Sequence, residues 1–181
     1  MFSIPMPAMT SILVLLGAAD APALRDFEVR NRAFFEATIN ARPAAYYEAG
    51  GVEAAVAQAL EDARADRGYQ YLLKDGEGRL LGRVNLSAVR RAHFHSAALG
   101  YRMDEAACGK GYAGDAVRQV LEIAFGELGL ARIEADCRVE NAASARVLLR
   151  NGFTRFGHSR RSFALHGTWY DRLHFERHAS A

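Results

Sequence analysis

The segment Cys108-Gly109-Lys110-Gly111-Tyr112-Ala113 constrains this chain more than any other, because it lies between a strand pattern and an amphipathic helix. Glycines at such a junction remove side chains from the turn, so that several backbone N–H groups can converge on one anion. The following helix, from about Ala113 to Leu128, adds its positive N-terminal end. Val117, Leu121, Ala124 and Leu128 make its buried stripe, Val120 and Phe125 widen it, and Gly129 ends it. Cys108 to Ala113 therefore reads as a pyrophosphate cradle, with Lys110 as a phosphate contact. Short Gly-x-Gly runs also occur in ordinary turns, so the flanking elements carry the reading.

Composition sets the bounds. With 181 residues, 50% of them hydrophobic and 24% charged, the chain reads as a single domain over 1–181 with a core at about 10–178. A formal net charge of +2 argues against direct nucleic-acid binding. Cys108 and Cys137 are far apart and lack metal-ligand spacing, as in a reduced cytoplasmic protein. The apolar run Ile12 to Leu16 has no basic region before it and is too short to span a membrane, so it is expected to be a strand.

Residues 1–9 carry two prolines and are expected to be a loose lead-in, with the first strand at Thr10 to Leu16. Asp20-Ala21-Pro22 starts a helix, with Asp20 as N-cap, that runs to about Thr38. A second helix spans Val52 to Arg67. Strands follow at Tyr69 to Lys74 and Leu80 to Ser87, joined by the turn Asp75-Gly76-Glu77-Gly78, and then at Phe94 to Met103. After the glycine loop and its helix come a strand at Ala131 to Val139, a short helix capped by Asn141 and stopped by Gly152, and strands at Phe153 to Leu165 and Tyr170 to Arg177. The expected fold class is α/β: a mixed sheet of about seven strands with helices on both faces.

From about Leu80 to Arg177 the chain resembles the GCN5-related N-acetyltransferase (GNAT) family. The family's acyl-CoA loop, Gln/Arg-x-x-Gly-x-Gly/Ala, is matched by Gly111 and Ala113, with Cys108 where Gln or Arg is usual. Asn141-Ala142-Ala143-Ser144, Arg150-Asn151-Gly152-Phe153 and the hairpin Gly167-Thr168-Trp169-Tyr170-Asp171 are similar to the ribosomal-protein-alanine N-acetyltransferase branch. So are Asn85-Leu86-Ser87, Phe94-His95 and Leu99-Gly100-Tyr101.

The resemblance implies acetyl-CoA as co-substrate and a primary amine as acceptor, foremost the α-amino group of a protein N-terminus. A small amine such as a polyamine, amino acid or antibiotic is the alternative, and a CoA-binding module without turnover is the third reading. It also implies that the strands at Phe94–Met103 and Ala131–Val139 lie parallel and splay at their C-terminal ends. Pantetheine would then pair with the backbone of Tyr101, Arg102 and Met103 like an added strand, and Asn141 would bond the same arm. No membrane partner is expected from so short an apolar run, and a monomer or homodimer is expected.

In many relatives a tyrosine seven residues after the asparagine protonates the leaving thiolate. That position is Leu148 here, which leaves Ser144 as the candidate acid. A serine at this point of a helix also serves simply to satisfy end groups. His95 is the candidate base, because an imidazole titrates near neutrality; Glu134 and a water chain are alternatives. His93 and His95 alternate onto one strand face, but with no third ligand no metal is expected. Trp169 is expected to shape the amine entrance. Cys137 falls near the expected CoA sulfur. Cys108, beside a helix N-terminus, is expected to have a lowered pKa.

Overall fold

The structure is a computed structural model that describes residues 11–180; the proline-bearing lead-in and Thr10 lie outside them. Strands β1 (Ser11–Leu15), β2 (Tyr69–Asp75), β3 (Leu80–Arg90), β4 (Ser96–Met103), β5 (Arg132–Arg138), β6 (Thr154–Leu165) and β7 (Thr168–His178) form one sheet in the order β1-β2-β3-β4-β5-β7-β6. Every neighbouring pair is antiparallel except β4 and β5, which run parallel. Helices α1 (Ala21–Arg30), α2 (Arg32–Glu36) and α3 (Gly51–Arg64) cover one face, while α4 (Tyr112–Glu122) and α5 (Ala142–Arg150) cover the other. This is the expected mixed α/β architecture. Among the described residues, no helix is long and apolar enough to cross a membrane.

Two cores hold the layers together. The larger joins α4 and α5 to the central strands through Val117, Val120, Leu121, Leu148, Leu86, Ile133 and Phe175. The smaller packs Leu24, Phe27, Val52 and Val56 against Leu72 and Leu80. Burying one such side chain stabilises the fold by roughly 1.5–3 kcal/mol.

One charged group is fully buried among these layers. The Glu28 side chain is 0% exposed and accepts from Arg42 (3.1 and 3.2 Å), Arg83 (2.5 Å) and Arg102 (3.0 Å). Burial alone would raise its carboxyl, but the Arg42 hydrogen bond and the charges of Arg83, Arg42 and Arg102 outweigh it and hold the group below its ordinary value. The cluster pins α1 to β3, β4 and the loop after α2.

Several elements depart from the sequence expectation. The first helix divides at Asn31, whose Nδ2 donates to Phe27 O (2.9 Å) while its Oδ1 accepts from Glu105 N (3.0 Å). Asp20 stands at the N-cap position of α1 as expected, but its side chain makes no cap bond: it accepts from Gly17 N and from Lys74 Nζ, each at 2.8 Å. Beyond Glu122, α4 widens into a π-helical turn, Ile123–Glu127. β4 starts at Ser96, because His93 and His95 adopt left-handed backbone conformations (φ 64° and 44°) that end an extended run.

Candidate functional site

The parallel pair β4–β5 positions the site. Its register runs Ser96↔Arg132, Ala97↔Ile133, Ala98↔Glu134 and Leu99↔Ala135, and there it stops. β4 continues to Met103 paired with β3 alone, and β5 continues to Arg138 paired with β7 alone. The strands therefore part beyond Leu99, and the β5-side backbone of Gly100–Met103 is left without a strand partner.

A cleft of about 320 Å³ opens at this parting. Strand alternation divides its lining between the two sheet faces. On the α4/α5 side lie Leu99, Tyr101, Ala135, Cys137, Asn141, Ser144 and Leu148. On the α1–α3 side Asn85, Ser87, Ala98 and Gly100 form the floor, with Thr38 and Ile39 at one wall and Asp136, Arg138, Phe163 and Arg172 at the other. A Cβ on Gly100 would lie 2.9 Å from Asn85 Oδ1, so only glycine lets the Asn85 amide cross the floor.

On the first side, Asn141 and Ser144 belong to one helix start. Asn141 caps α5, its Oδ1 accepting from Ser144 N at 3.0 Å, as the sequence leads one to expect. The Ser144 hydroxyl lies 2.8 Å from the Tyr101 hydroxyl. Burial, opposed by this hydrogen bond, pushes the Tyr101 phenol up to about 12, so it is neutral at physiological pH. Burial likewise raises the Cys137 thiol, while a hydrogen bond with Ser144 offsets part of the effect. Tyr101 was legible in the sequence only as a backbone contact; the structure adds its side chain to the polar group of the cleft.

At the end of β4 the chain passes through a 3-10 turn, Glu105–Ala107, into the glycine loop. Gly109 and Gly111 have φ of 75° and 87°, conformations that disfavour any side chain. Gly111 is the N-cap of α4 and has no side chain to bond the first amides of the helix, which stay open to a ligand. Lys110 is exposed beside them. The run from Gly109 to Gly114 also satisfies Gly-x-Gly-x-x-Gly. Its place sets it apart from a dinucleotide fingerprint: it follows a strand of a mixed sheet rather than the first strand–helix turn of a parallel one.

Three expectations, those for His95, Trp169 and Cys108, need correction or relocation. His95 lies before the start of β4, exposed, at the end remote from the parting, and it does not line the cleft. The Arg102 side chain turns to Glu28 on the opposite face, and its backbone, the part expected to meet pantetheine, stays on the open edge. Trp169 is 55% exposed in the β6–β7 hairpin and is not part of the cleft lining. The Cys108 thiol is raised rather than lowered, by partial burial and then by Asp104 and Glu105, and its sulfur donates to Asp104 O at 3.4 Å. Met103 is buried, packed against Gly82. Among the described residues, no group of three or more His, Cys, Asp or Glu side chains could hold a metal ion.

Similarity to known proteins agrees with this geometry. The family described as "Acetyltransferase (GNAT) domain" matches residues 12–154. The "Probable N-acetyltransferase YjcK" of Bacillus subtilis (strain 168) is 34% identical over 157 residues, covering 86% of this chain and 87% of that protein. The ribosomal protein uS5-alanine N-acetyltransferase of Escherichia coli (strain K12) is 26% identical over 163 residues, covering 90% and 84%. Among solved structures, the ribosomal-protein-S5-alanine acetyltransferase from Vibrio fischeri superposes with a TM-score of 0.89 at 24% identity, covering 97% of each chain. The spermidine N-acetyltransferase from Vibrio cholerae in complex with CoA and spermine gives 0.78 at 21% identity, covering 93% and 95%.

Proposed function

The chain belongs to the GNAT acetyltransferase family, and we propose that within it this acetyl-CoA-dependent N-acetyltransferase acts on the α-amino group of a protein N-terminus. One observation carries the choice over a polyamine. Among the described residues, the only carboxylate lining the cleft, Asp136, is paired with Arg172, and Arg138 stands beside it. A polycationic acceptor would meet guanidinium groups and no free acid. An N-terminus carries one amine of ordinary pKa near 8, much of it already neutral at working pH.

The residues present fit acetyl-CoA. The amides of Gly109–Ala113 and the charge of Lys110 would receive the pyrophosphate, and the unpartnered edge of Tyr101–Met103 would receive the pantetheine arm together with Asn141. Bound there, acetyl-CoA supplies the acetyl group as a thioester. The amine reaches it from the α1–α3 side through the parting of the strands. Nitrogen bonds the carbonyl carbon and the carbon–sulfur bond breaks. Ser144 donates its hydroxyl proton to the departing sulfur and takes one from Tyr101. The proton shed by the nitrogen returns to this pair through water. Holding both reactants in line supplies several kcal/mol of the barrier reduction, about 7 or more at best.

We further propose that the enzyme is cytoplasmic and forms a single acetyltransferase domain over 1–181 with its core at about 10–178; one sheet that uses strands from both ends of the chain supports the single domain. The test is thiol release from acetyl-CoA with three acceptor sets: peptides beginning with Ala or Ser, polyamines, and amino acids or antibiotics. Turnover on peptides supports the proposal. Turnover on small amines alone overturns it and leaves the family assignment intact.

A further inference from the structure

The face of the sheet that meets the acceptor does not end at the cleft. On β3 the residues pointing to the α1–α3 side are Arg83, Asn85 and Ser87; their partners on β4 are Arg102, Gly100 and Ala98. Asn85, Ser87, Ala98 and Gly100 floor the cleft. Arg83 and Arg102 occupy the next repeat of the same surface, about 7 Å further along the strands. Above them Arg42 arrives from the loop that also brings Thr38 and Ile39 to the cleft wall, and its guanidinium stacks on Tyr46 at 4.3 Å.

Three guanidiniums therefore converge at the end of the acceptor floor, and their one shared acid is Glu28. Its two oxygens accept four hydrogen bonds, which fills the acceptor capacity of a carboxylate. The arginines are not filled. Arg102 spends a single N–H on Glu28 and Arg42 spends two, of the five that each carries. Both side chains stay 23% exposed. Arg83 also donates to two neutral partners, Tyr46 Oη at 3.5 Å and the Gln70 amide oxygen. A partly buried cluster with two positive charges in excess and unused planar donors is suited to a carboxylate or phosphate.

Resting on the reading of the acceptor as a protein N-terminus, we infer that the enzyme selects peptides bearing an aspartate or glutamate at the second or third position, whose carboxylate is received by Arg42 and Arg102. The reach agrees. An extended peptide advances about 3.3 Å per residue, so the side chain of residue two or three stands about 7 Å or a little more from the reacting amine. The same positive field disfavours a protonated amine at the parting and favours the neutral, nucleophilic form.

The experiment compares peptides sharing an N-terminal alanine, with Glu, Gln or Lys placed in turn at positions two and three, and reads kcat/KM by thiol release. The Glu peptides are expected to exceed the Gln peptides by about tenfold and the Lys peptides by more, the size of one charge-assisted hydrogen bond. The ratio, with the Gln peptide as internal reference, falls toward one in Arg42→Gln and in Arg102→Gln, and returns in Arg42→Lys and Arg102→Lys, which restore the charge. It also shrinks as salt is raised. A merely structural cluster would lower all peptides together and leave the ratio fixed. Peptides turned over without regard to charge overturn this inference alone. Polyamines turned over and no peptide overturns the N-terminal reading and this inference with it.

Discussion

The hydroxyls of Tyr101 and Ser144 stand 2.8 Å apart, one carried by the strand that loses its neighbour and the other by the first turn of α5. Each element brings one hydroxyl to the parting of the sheet. Together they give a neutral two-hydroxyl chain on the side where the cradle and open strand edge would hold CoA.

Removing the first link of that chain should cost the most. Ser144→Ala is expected to lower kcat by about 10²-fold, within the usual range for one acid–base group, with little change in acetyl-CoA affinity. Tyr101→Phe should lose less, because water can replace the second link. The double variant should be no slower than Ser144→Ala, since groups that act as a unit are not additive. Steady-state kinetics beside a binding titration checks all three.

The Tyr101 phenol is raised to about 12, above its unfolded value of about 10. Folding thus favours the neutral phenol; that stabilisation is complete below pH 10 and is lost as pH rises toward 12. Alkaline titration of phenolate absorbance should show a late-ionising group that is missing in Tyr101→Phe. Tyr71, also raised to about 12 by burial, provides a second late group that remains. An ionisation assigned to Tyr101 near pH 10 would contradict this.

Glu28→Gln should destabilise the protein by about 3–5 kcal/mol, the usual cost of leaving buried partners without their counter-charge. The pH dependence has a definite sign. The folded carboxyl titrates below its ordinary value, so its contribution is present above the unfolded pKa and is lost as pH falls through the folded one. Chemical denaturation from neutral to acid pH should show the wild type losing its advantage over Glu28→Gln in that window.

Gly111 is held at φ 87°, where an L side chain costs about 1–2 kcal/mol. Gly111→Ala should weaken acetyl-CoA binding by about tenfold as the turn relaxes away from its cradle geometry. Calorimetry on this variant, with thermal melting as a control for the fold, measures it.

What the sequence disclosed follows from how local each feature is. The stripe of α4, the glycine turn before it and the Asn141 cap are each settled within a few residues, and each stands where expected; the left-handed backbone of Gly109 and Gly111 is what the structure adds. The parting of β4 and β5 was accessible only through resemblance, because a register that stops after Leu99 leaves no mark on either strand alone. Asp20 holds the expected cap position, yet Lys74, 54 positions away, draws its carboxylate from the helix amides. His95 looked like a strand residue because its neighbours alternate, while its left-handed backbone places it in the turn. The arginine cluster was out of reach for the same reason: Glu28 and Arg102 are 74 positions apart, and only the folded sheet puts them on one surface. The hint was Arg83-Val84-Asn85-Leu86-Ser87, polar on the face of a strand that buries its other side.

A sheet that opens in its middle carries two edges that most proteins would cover. Unpaired strand edges invite other chains to pair with them, and folded proteins usually hide or blunt them. Seated as proposed, the amide-bearing arm of the co-substrate would take that place and so would also work as a removable guard. On that reading the empty enzyme is the form whose open edge is most available to another chain.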